Sequence, residues 1–420
     1  MTITSWVALA VVLVTVWALA RRYETRLVLI TAGLFLACVS LSPMDALNAF
    51  AKSMTNNGLI LAICSAMGFA FAVQMTKCDV HLVKLLSAPL KPLGLLLLPA
   101  ATAITFFVAV AIPSAAGCAA AVGPTLVPIM LRAGISREGT AAALLGGTFG
   151  SMLSPGLSHN PYVAKMAGMD VMDIIGVHMP YTLVCGAIAV AGVALACVLM
   201  GDYKKGRVIE PAGTDDSGVE RANILKAAAP IVPVAILIVG NLWVPALKMG
   251  VAQAMLIGVI YTLCVTLAEP QAFTKQFFAG MGKGYGEVLG IIIAAGVFTA
   301  GLKSSGLIDV FISLLRESNE IARWGGSIGP FVMGVITGSG DAAAYAFNDA
   351  VTPHAASFGM EVPTLGAMAA LSGALGRTMS PISGVAIVIC GLTLANPIEL
   401  TKRLAAPMIA CVIFVALSMV

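Results

Sequence analysis

The sequence predicts an all-α polytopic membrane protein made of two inverted repeats. Three observations predict this class: an apolar composition, an internal repeat and an uneven distribution of lysine and arginine. Of the 420 residues, 59% are hydrophobic and 10% are charged, whereas ordinary soluble domains carry about 25% charged residues. Runs long enough to cross about 30 Å of hydrocarbon recur along the chain. They include residues 6–20, 93–112, 181–200, 227–244 and 405–420.

The first apolar run is followed by Arg21 and Arg22 and not by a small-residue cleavage site. We therefore expect a retained helix rather than a signal peptide.

The nine cysteines stand singly, and no Cys-x-x-Cys pair occurs. This pattern favours small core residues over disulfides or metal ligands, so we expect no cofactor. The net charge of +4 is modest and does not indicate a nucleic-acid partner.

An internal repeat divides the chain. The stretch LGGTFGSMLSP, which begins at Leu145, and the stretch LSGALGRTMSP, which begins at Leu371, share five residues at an offset of 226 positions. A match at a fixed offset indicates a repeated unit. Between the two halves lies the only long polar stretch, residues 201–223. The predicted parts are a first repeat over 1–200, a linker over 201–225 and a second repeat over 226–420.

Basic residues indicate how the repeats are oriented. They follow the first helix, surround an amphipathic segment at residues 78–91, occur in the linker and precede the last helix. By the positive-inside rule these positions are cytoplasmic. The second amphipathic segment, residues 306–319, balances its basic residues with acids and fits the outer face. An odd number of crossings in each half, with both chain ends outside, satisfies these assignments.

Two stretches are predicted to be broken within the membrane. Residues 112–128 contain three prolines, and residues 337–355 contain Gly338, Gly340 and Pro353. Proline removes a backbone donor and glycine loosens a helix. Irregular backbone persists at membrane depth only where it is buried in protein or lines a cavity. Both stretches are therefore candidates for a binding site.

Two Ser-Pro pairs predict helix starts, because serine caps helices and proline suits the first helical position. They are Ser154-Pro155 and Ser380-Pro381, each preceded by a glycine-rich helix. We therefore expect two re-entrant hairpins with these pairs at their tips, pointing toward the membrane midplane.

Arg377 lies in apolar sequence, and no acid occurs within ten positions of it. Two partners remain open: an ion pair with Asp341 or Asp349, or the carboxylate of a bound anion, which suits the planar guanidinium. The predicted substrate-binding residues are Ser154, Ser158, Asn160, Arg377, Ser380 and Ser383.

The second broken stretch also predicts a site for a coupling ion, because intramembrane carboxylates are functional hypotheses by default. The candidates are Asp341, Asn348, Asp349 and His354, with a sodium ion near Gly338, Gly340 and Asp341 as one option. We interpret His159 as a satisfied interior histidine and place Lys165 and His178 at the membrane surface. Asn160 is expected to cap a helix that starts at Pro161.

An enzyme is not supported. Residues 338–341 match the Gly-x-Gly-Asp of intramembrane aspartyl proteases, but the Tyr-Asp pair that would supply the second carboxylate is absent. Two carboxylates must share a proton in that chemistry. His-Glu-x-x-His and the phosphate-binding Lys loop are absent too, which argues against a metalloprotease and an ATP-driven pump.

The sequence resembles the type C family of anaerobic four-carbon-dicarboxylate carriers, within the ion transporter superfamily. The resembling stretches are residues 68–86, 154–168, 338–347 and 376–388, and the likeness extends over most of the chain. Superfamily members often bind substrate through Ser-Asn-Thr tips. Here residues 158–160 and 380–383 stand in that place.

The resemblance implies an elevator-type secondary active transporter in the cytoplasmic membrane. Its substrates would be succinate, fumarate, malate or related acids, moved by exchange or together with sodium or protons. A homodimer is expected by analogy. Transport of another small organic anion, such as a hydroxy acid or a short peptide, and a channel stay open as alternatives.

Overall fold

A computed structural model describes residues 3–21, 23–55, 57–87, 94–204, 209, 222–308, 310 and 319–419. Most of the predicted linker and most of the second amphipathic segment lie outside these residues. The described residues are predominantly helical, and no β-strand is found among them. Bounds are given below for twenty α-helices.

In the first half the helices are α1 (Ile3–Ala20), α2 (Thr25–Val39), α3 (Pro43–Met54), α4 (Asn57–Met75), α5 (Cys78–Ser87), α6 (Leu97–Ala111), α7 (Ala115–Arg132), α8 (Arg137–Gly147), α9 (His159–Ala167) and α10 (Val171–Leu199). In the second half they are α11 (Ile224–Ala228), α12 (Val232–Leu242), α13 (Val251–Thr266), α14 (Pro270–Lys283), α15 (Gly290–Ser304), α16 (Asn319–Thr337), α17 (Gly340–Ala350), α18 (Val362–Met379), α19 (Gly384–Thr393) and α20 (Pro397–Ser418).

Several helical stretches have the length and composition of membrane spans. Among the described residues there are five, or up to seven if each of two bent helix pairs is one span. The five are Gly94–Ala111, Val171–Leu199, Pro270–Ser304, Val362–Thr393 and Pro397–Ser418. The predicted all-α class with several apolar helices is confirmed.

Both predicted broken stretches contain a helix break. Residues 112–114 separate α6 from α7, and residues 338–339 separate α16 from α17. Ser114 and Ser339 cap the new helices, and each side chain accepts a hydrogen bond from the backbone N–H three residues on, at 3.2 Å. Because α6 packs against α7 and α16 packs against α17, the chain turns back at these two breaks. The hairpins therefore lie here.

The Ser-Pro pairs lie at helix ends and not at helix starts, which corrects the predicted hairpin tips. The backbone N–H of Ser154 bonds to the carbonyl of Ser151 at 2.8 Å, and that of Ser380 bonds to the carbonyl of Arg377 at 3.1 Å. Each serine thus closes the preceding helix, and the proline that follows cannot donate a hydrogen bond to extend it. The next helices, α9 and α19, begin only after a further turn.

The segments on either side of each Ser-Pro pair do not fold back on each other. Helix α18 makes at most marginal contact with α19, and the same holds for α8 and α9. Val362–Thr393 has the length of one membrane span despite its interruption at residues 380–383. The Ser-Pro pairs therefore interrupt broken helices. The hairpins lie instead at residues 112–114 and 338–339, where we predicted the broken helices.

Two glycines of the repeated motif have the same packing role. A Cβ atom added at Gly150 would collide with the carbonyl oxygen of Phe106 on α6. One added at Gly376 would collide with the carbonyl oxygen of Phe331 on α16. In each half, glycine lets the first helix of the hairpin approach the backbone of the broken helix.

This contact predicts the effect of adding one methyl group. Gly376→Ala should lower the melting temperature in detergent, because overpacking of a close contact costs about 1–3 kcal/mol. Gly391→Ala in α19 is the matched control, since a Cβ atom there would meet nothing within 4 Å. Alanine also has the higher helix propensity, so the control should be neutral or slightly stabilised. Equal melting temperatures for the two variants would contradict the packing role.

Eighteen of the twenty helices form two groups, and α5 and α11 belong to neither. Group A comprises α1–α4 and α12–α15; within it α15 packs against α2 and α3, and α14 packs against α4. Group B comprises α6–α10 and α16–α20; within it α18 packs against α16, α17 and α20, and α6 packs against α8. The groups meet where α15 contacts α17, α4 contacts α9, α1 contacts α16 and α10 contacts α12.

The last helices of the two halves, α10 and α20, pack antiparallel. The ring of Tyr181 in α10 lies 6.4 Å from the ring of Phe414, near the end of α20. Gly192, further along α10, lies against Pro407, nearer the start of α20. Moving forward along one helix therefore means moving backward along the other.

Equivalent residues of these helices also contact each other. The thiol of Cys185 donates to the carbonyl of Cys411 at 3.8 Å, and the thiol of Cys411 donates to the carbonyl of Cys185 at 3.4 Å. The two cysteines are 226 positions apart, which is the offset of the sequence repeat. Such reciprocal contact between equivalent positions is what a twofold axis produces.

Candidate functional site

Four helix N-termini meet at one cavity of about 310 Å³. They belong to the second helices of the two hairpins, α7 and α17, and to the second segments of the two broken helices, α9 and α19. The residues of these four termini that line the cavity are Ser114, Ala115, Ala116, Ser158, His159, Ser339, Gly340, Asp341, Gly384 and Val385. A helix N-terminus carries free N–H groups and about half a positive charge. Together the four termini favour an anion.

Arg377 lines the same cavity from the last turn of α18. Its guanidinium has no hydrogen bond and no ion pair within 4.0 Å to any residue that the structure describes. Arginine has five donors and stays charged at physiological pH. The cavity therefore holds a permanent positive charge with unused donors.

Neither aspartate offered by the sequence forms an ion pair with Arg377. One oxygen of Asp341 lies 3.0 Å from Nε2 of His159. Asp349 accepts a hydrogen bond from the hydroxyl of Tyr162. The ion-pair alternative is thus not formed in this structure, and the carboxylate of a ligand stays the predicted partner of Arg377.

Residues 6–420 match the family described as C4-dicarboxylate anaerobic carrier, DcuC. The chain belongs to the DcuC family. The family and its members are transporters and not enzymes, as the sequence analysis predicted.

The DcuC-family relatives come from several bacteria. A putative uncharacterized transporter of Haemophilus influenzae is 48% identical over 278 residues, which are 64% of this chain and 100% of that protein. The anaerobic C4-dicarboxylate transporter DcuC of Escherichia coli is 28% identical over 377 residues, which are 85% of this chain and 78% of that protein.

Two solved structures are similar to this DcuC-family chain in fold. One is MtrF of Neisseria gonorrhoeae, with a TM-score of 0.58 and 15% identity, covering 90% of this chain and 84% of MtrF. The other is the YdaH transporter of Alcanivorax borkumensis, with a TM-score of 0.57 and 11% identity, covering 88% of this chain and 86% of YdaH. At these identities the likeness shows the fold alone.

The predicted substrate residues of the DcuC-family chain are placed unequally. Arg377 and Ser158 line the cavity, whereas Ser154, Ser380 and Ser383 are buried and are not among its wall residues. Ser383 caps α19, and Ser380 accepts a hydrogen bond from the backbone two residues on at 3.3 Å. Ser154 Oγ has no hydrogen-bond partner among the described residues. Direct contact of these three with a ligand is not supported by their positions.

Asn160 holds the break between α8 and α9 together, which corrects its predicted role as a helix cap; it is not among the residues that line the cavity. Its amide donates to the carbonyls of Met152 at 2.8 Å and Ser154 at 2.9 Å. Its oxygen lies 3.1 Å from Nε2 of His178, whose Nδ1 lies 3.0 Å from the hydroxyl of Thr182. His178 is 0% exposed, so its predicted place at the membrane surface is wrong.

Of the predicted coupling residues, only Asp341 lines the cavity. Asn348 is fully buried and donates to a backbone carbonyl of α18 at 3.2 Å. Asp349 is paired with Tyr162, and His354 lies in the 3₁₀ turn that follows α17. No cluster of three His, Cys, Asp or Glu residues suited to a metal ion occurs in the described ranges. The sodium near Asp341 stays a prediction.

The sequence analysis missed part of the wall. Ser114 and Ser339 are hairpin caps that follow Pro113 and Gly338, so the pairing of a helix breaker with serine could have identified them. His159 is 2% exposed at the back of the cavity. No local signal separated it from an ordinary interior histidine.

Group A closes the other side of the cavity through α4 and the π-helical turn Gly284–Leu289, which joins α14 to α15. Glu287 of this turn is exposed and lines the cavity. Arg26 of α2 donates to the carbonyl of Gly286 at 2.7 Å and ties the turn to its neighbour. The cavity therefore lies between the two groups, with an acid on the group A side.

Proposed function

We propose that this protein is a secondary active transporter of C4-dicarboxylates such as succinate, fumarate and malate, acting in the cytoplasmic membrane by exchange or cation-coupled transport. The observation that carries the proposal is the cavity where four helix N-termini meet Arg377, whose guanidinium has no ion-pair partner among the described residues. Relatives named anaerobic C4-dicarboxylate transporters support the substrate class.

A short diacid matches the chemistry of this cavity. One carboxylate would take two parallel hydrogen bonds from Arg377. The other would take backbone N–H donors and partial positive charge from the helix N-termini on the wall. A volume of about 310 Å³ lies at the lower end of ligand pockets, which favours a small substrate.

We infer that the two halves are inverted repeats over residues 1–200 and 226–420, joined by a cytoplasmic linker over 201–225. Two facts support this. Helix α20 begins 226 positions after α10, so the two are equivalent in the repeat. These equivalent helices pack antiparallel, and equivalent elements of inverted repeats run in opposite directions.

We further propose an elevator mechanism. Group B supplies all four helix N-termini and Arg377, whereas group A supplies only the opposite wall. Sliding of group B against a fixed group A would carry the ligand across the membrane. A homodimer formed through group A would hold that group in place.

A second candidate substrate class is favoured by Glu287. An acid beside a dianion is unfavourable, but the same acid would accept a hydrogen bond from a hydroxyl or an ammonium group on the ligand. A hydroxy acid or a short peptide would offer such a donor. The two proposals differ only in the substrate that is transported, so one uptake assay with both kinds of substrate separates them.

The test is uptake into proteoliposomes with a panel of four-carbon acids, hydroxy acids and short peptides, with and without sodium and proton gradients. We expect labelled succinate inside the vesicles to exchange for external succinate, fumarate or malate. Exchange that is confined to hydroxy acids or peptides would select the second candidate. Flux that grows linearly with concentration and needs no exchange partner would indicate a channel and defeat the transporter proposal.

The inverted arrangement predicts opposite accessibility of two sites. Cysteines placed at Thr214 in the linker and at Glu320 near the start of α16, in a background without native cysteines, should be labelled from opposite sides of the membrane. Thr214 lies outside the described residues. In intact cells an impermeant reagent should label only the variant at residue 320. Labelling of both sites would overturn the inverted repeats.

A further inference from the structure

A hydrogen bond between Tyr345 and Ser158 joins the two halves of the chain beside the cavity. Ser158 stands at the start of α9 and lines the cavity, whereas Tyr345 lies in α17 and is not among the residues that line it. Tyr345 is 0% exposed. Its ring packs against the rings of His159 and Tyr162, with centroids 4.8 and 4.9 Å away. These contacts fix the position of the phenol oxygen.

The phenol of Tyr345 is the donor in this hydrogen bond. Among the described residues, its hydroxyl has no hydrogen-bond partner other than the hydroxyl of Ser158. Because Tyr345 is fully buried, a proton turned away from Ser158 would have no acceptor, and buried polar groups are rarely left in that state. The oxygen of Ser158 therefore accepts.

Accepting this hydrogen bond leaves the proton of Ser158 available. A hydroxyl has one donor and two acceptor sites. The side chain of Ser158 does not cap α9, and it donates to no protein group in the part of the chain that the structure describes. Tyr345 occupies the protein side of the serine oxygen, so the proton of Ser158 lies on the side of the cavity. There it joins the free backbone N–H groups at the start of α9 as a donor to an anion.

We propose that Tyr345 is a positioning residue, which orients the hydroxyl of Ser158 toward the second carboxylate of a bound diacid, the one that Arg377 does not bind. The inference rests on the proposed function. The Tyr345–Ser158 pair then selects a diacid over a monoacid of the same length. A monoacid bound to Arg377 leaves the donor of Ser158 without a partner, and a site built to hydrogen-bond a group discriminates against ligands that lack it.

The test is a double-mutant cycle on binding. Purified protein in detergent is titrated with succinate by calorimetry, and butyrate, the four-carbon monoacid, is measured by displacement of labelled succinate. Tyr345→Phe keeps the ring but loses the donor, so Ser158 is free to rotate and bond to a backbone carbonyl of its own turn. We expect the Kd for succinate to rise roughly 3- to 10-fold.

Ser158→Ala should raise the Kd for succinate about 10-fold or more, because a hydrogen bond to a carboxylate is lost. Adding Tyr345→Phe to Ser158→Ala should have no further effect, since the tyrosine acts through the serine. Neither substitution should change the Kd for butyrate, whose carboxylate binds Arg377. The matched control is Tyr261→Phe in α13, whose hydroxyl donates to the carbonyl of Leu225 at 3.0 Å away from the cavity; it should bind succinate as the wild type does.

Two results overturn the inference and leave the proposed function standing. One is an additive effect in the double variant, because the tyrosine would then act apart from Ser158. The other is an equal rise of the Kd for both acids, which a general structural defect would produce. If Tyr345→Phe does not fold, Ser158→Ala decides, and unchanged affinity for succinate in that variant overturns the inference. Failure of the wild type to bind any four-carbon diacid defeats the proposed function and this inference with it.

Discussion

Arg377→Ala should fold, fail to transport succinate and lose the protection against heat that succinate gives the wild type. The reason is that the guanidinium has no partner of its own in the described residues, so removing it leaves no acid unpaired. The ligand, by contrast, loses its charged donor. Such a loss typically costs about 1.5–3 kcal/mol, or roughly 10- to 150-fold in affinity. Melting curves with and without succinate, together with uptake into proteoliposomes, measure both effects.

Two further variants sharpen this test. Arg377→Lys keeps the charge but loses the planar fork, so it should also bind succinate poorly. Arg132→Ala, an exposed arginine at the end of α7, is the matched control and should keep transport and protection. If an ion pair with Asp341 forms in another state of the cycle, Arg377→Ala will be unstable, and removal of Asp341 as well will restore stability. A stable Arg377→Ala protein with normal transport would defeat both accounts.

The sequence contained enough information to locate the helix breaks but not to tell what the chain does at them. Glycine, proline and serine interrupt a helix equally at residues 112–114, 338–339 and 380–383. Whether the next helix turns back or continues depends on what packs against it, and that is a long-range property. Thus α17 folds back against α16, whereas α19 continues the span that α18 begins.

The candidate site, too, was predictable only where the signal is local in sequence. An isolated arginine in apolar sequence indicated a ligand, and Arg377 lies on the cavity wall. The partners of the other polar residues could not be read locally, because they are distant in sequence. His159 meets Asp341 across 182 positions, and Tyr345 donates to Ser158 across 187. No local pattern distinguishes such pairs from solitary interior residues.

Arg403 is a buried arginine whose role differs from that of Arg377. Arg403, near the start of α20, is 6% exposed and binds Asp202 through two hydrogen bonds of 2.7 Å each. Asp202 also accepts a 2.7 Å hydrogen bond from Ser136, which caps α8. The sequence analysis placed Lys402 and Arg403 before the last helix and used them only to assign that end of the helix to the cytoplasmic face. In the structure Arg403 of the second repeat binds Asp202 of the linker, which in turn binds Ser136 of the first repeat.

Arg403→Ala should therefore destabilise the protein strongly. Removing one member of a buried ion pair typically costs about 3–5 kcal/mol, because the remaining charge stays buried without a partner. We expect a large fall in melting temperature and yield. Lys402→Ala is the matched control, since Lys402 is exposed and its pair with Glu399 lies at the surface; exposed ion pairs contribute little. Replacing Asp202 with alanine in the Arg403→Ala background should recover part of the stability, because no charge is then left unpaired. Two results would contradict this role of the Arg403–Asp202 ion pair. One is an equal melting temperature for Arg403→Ala and Lys402→Ala, and the other is a double variant that is less stable than Arg403→Ala.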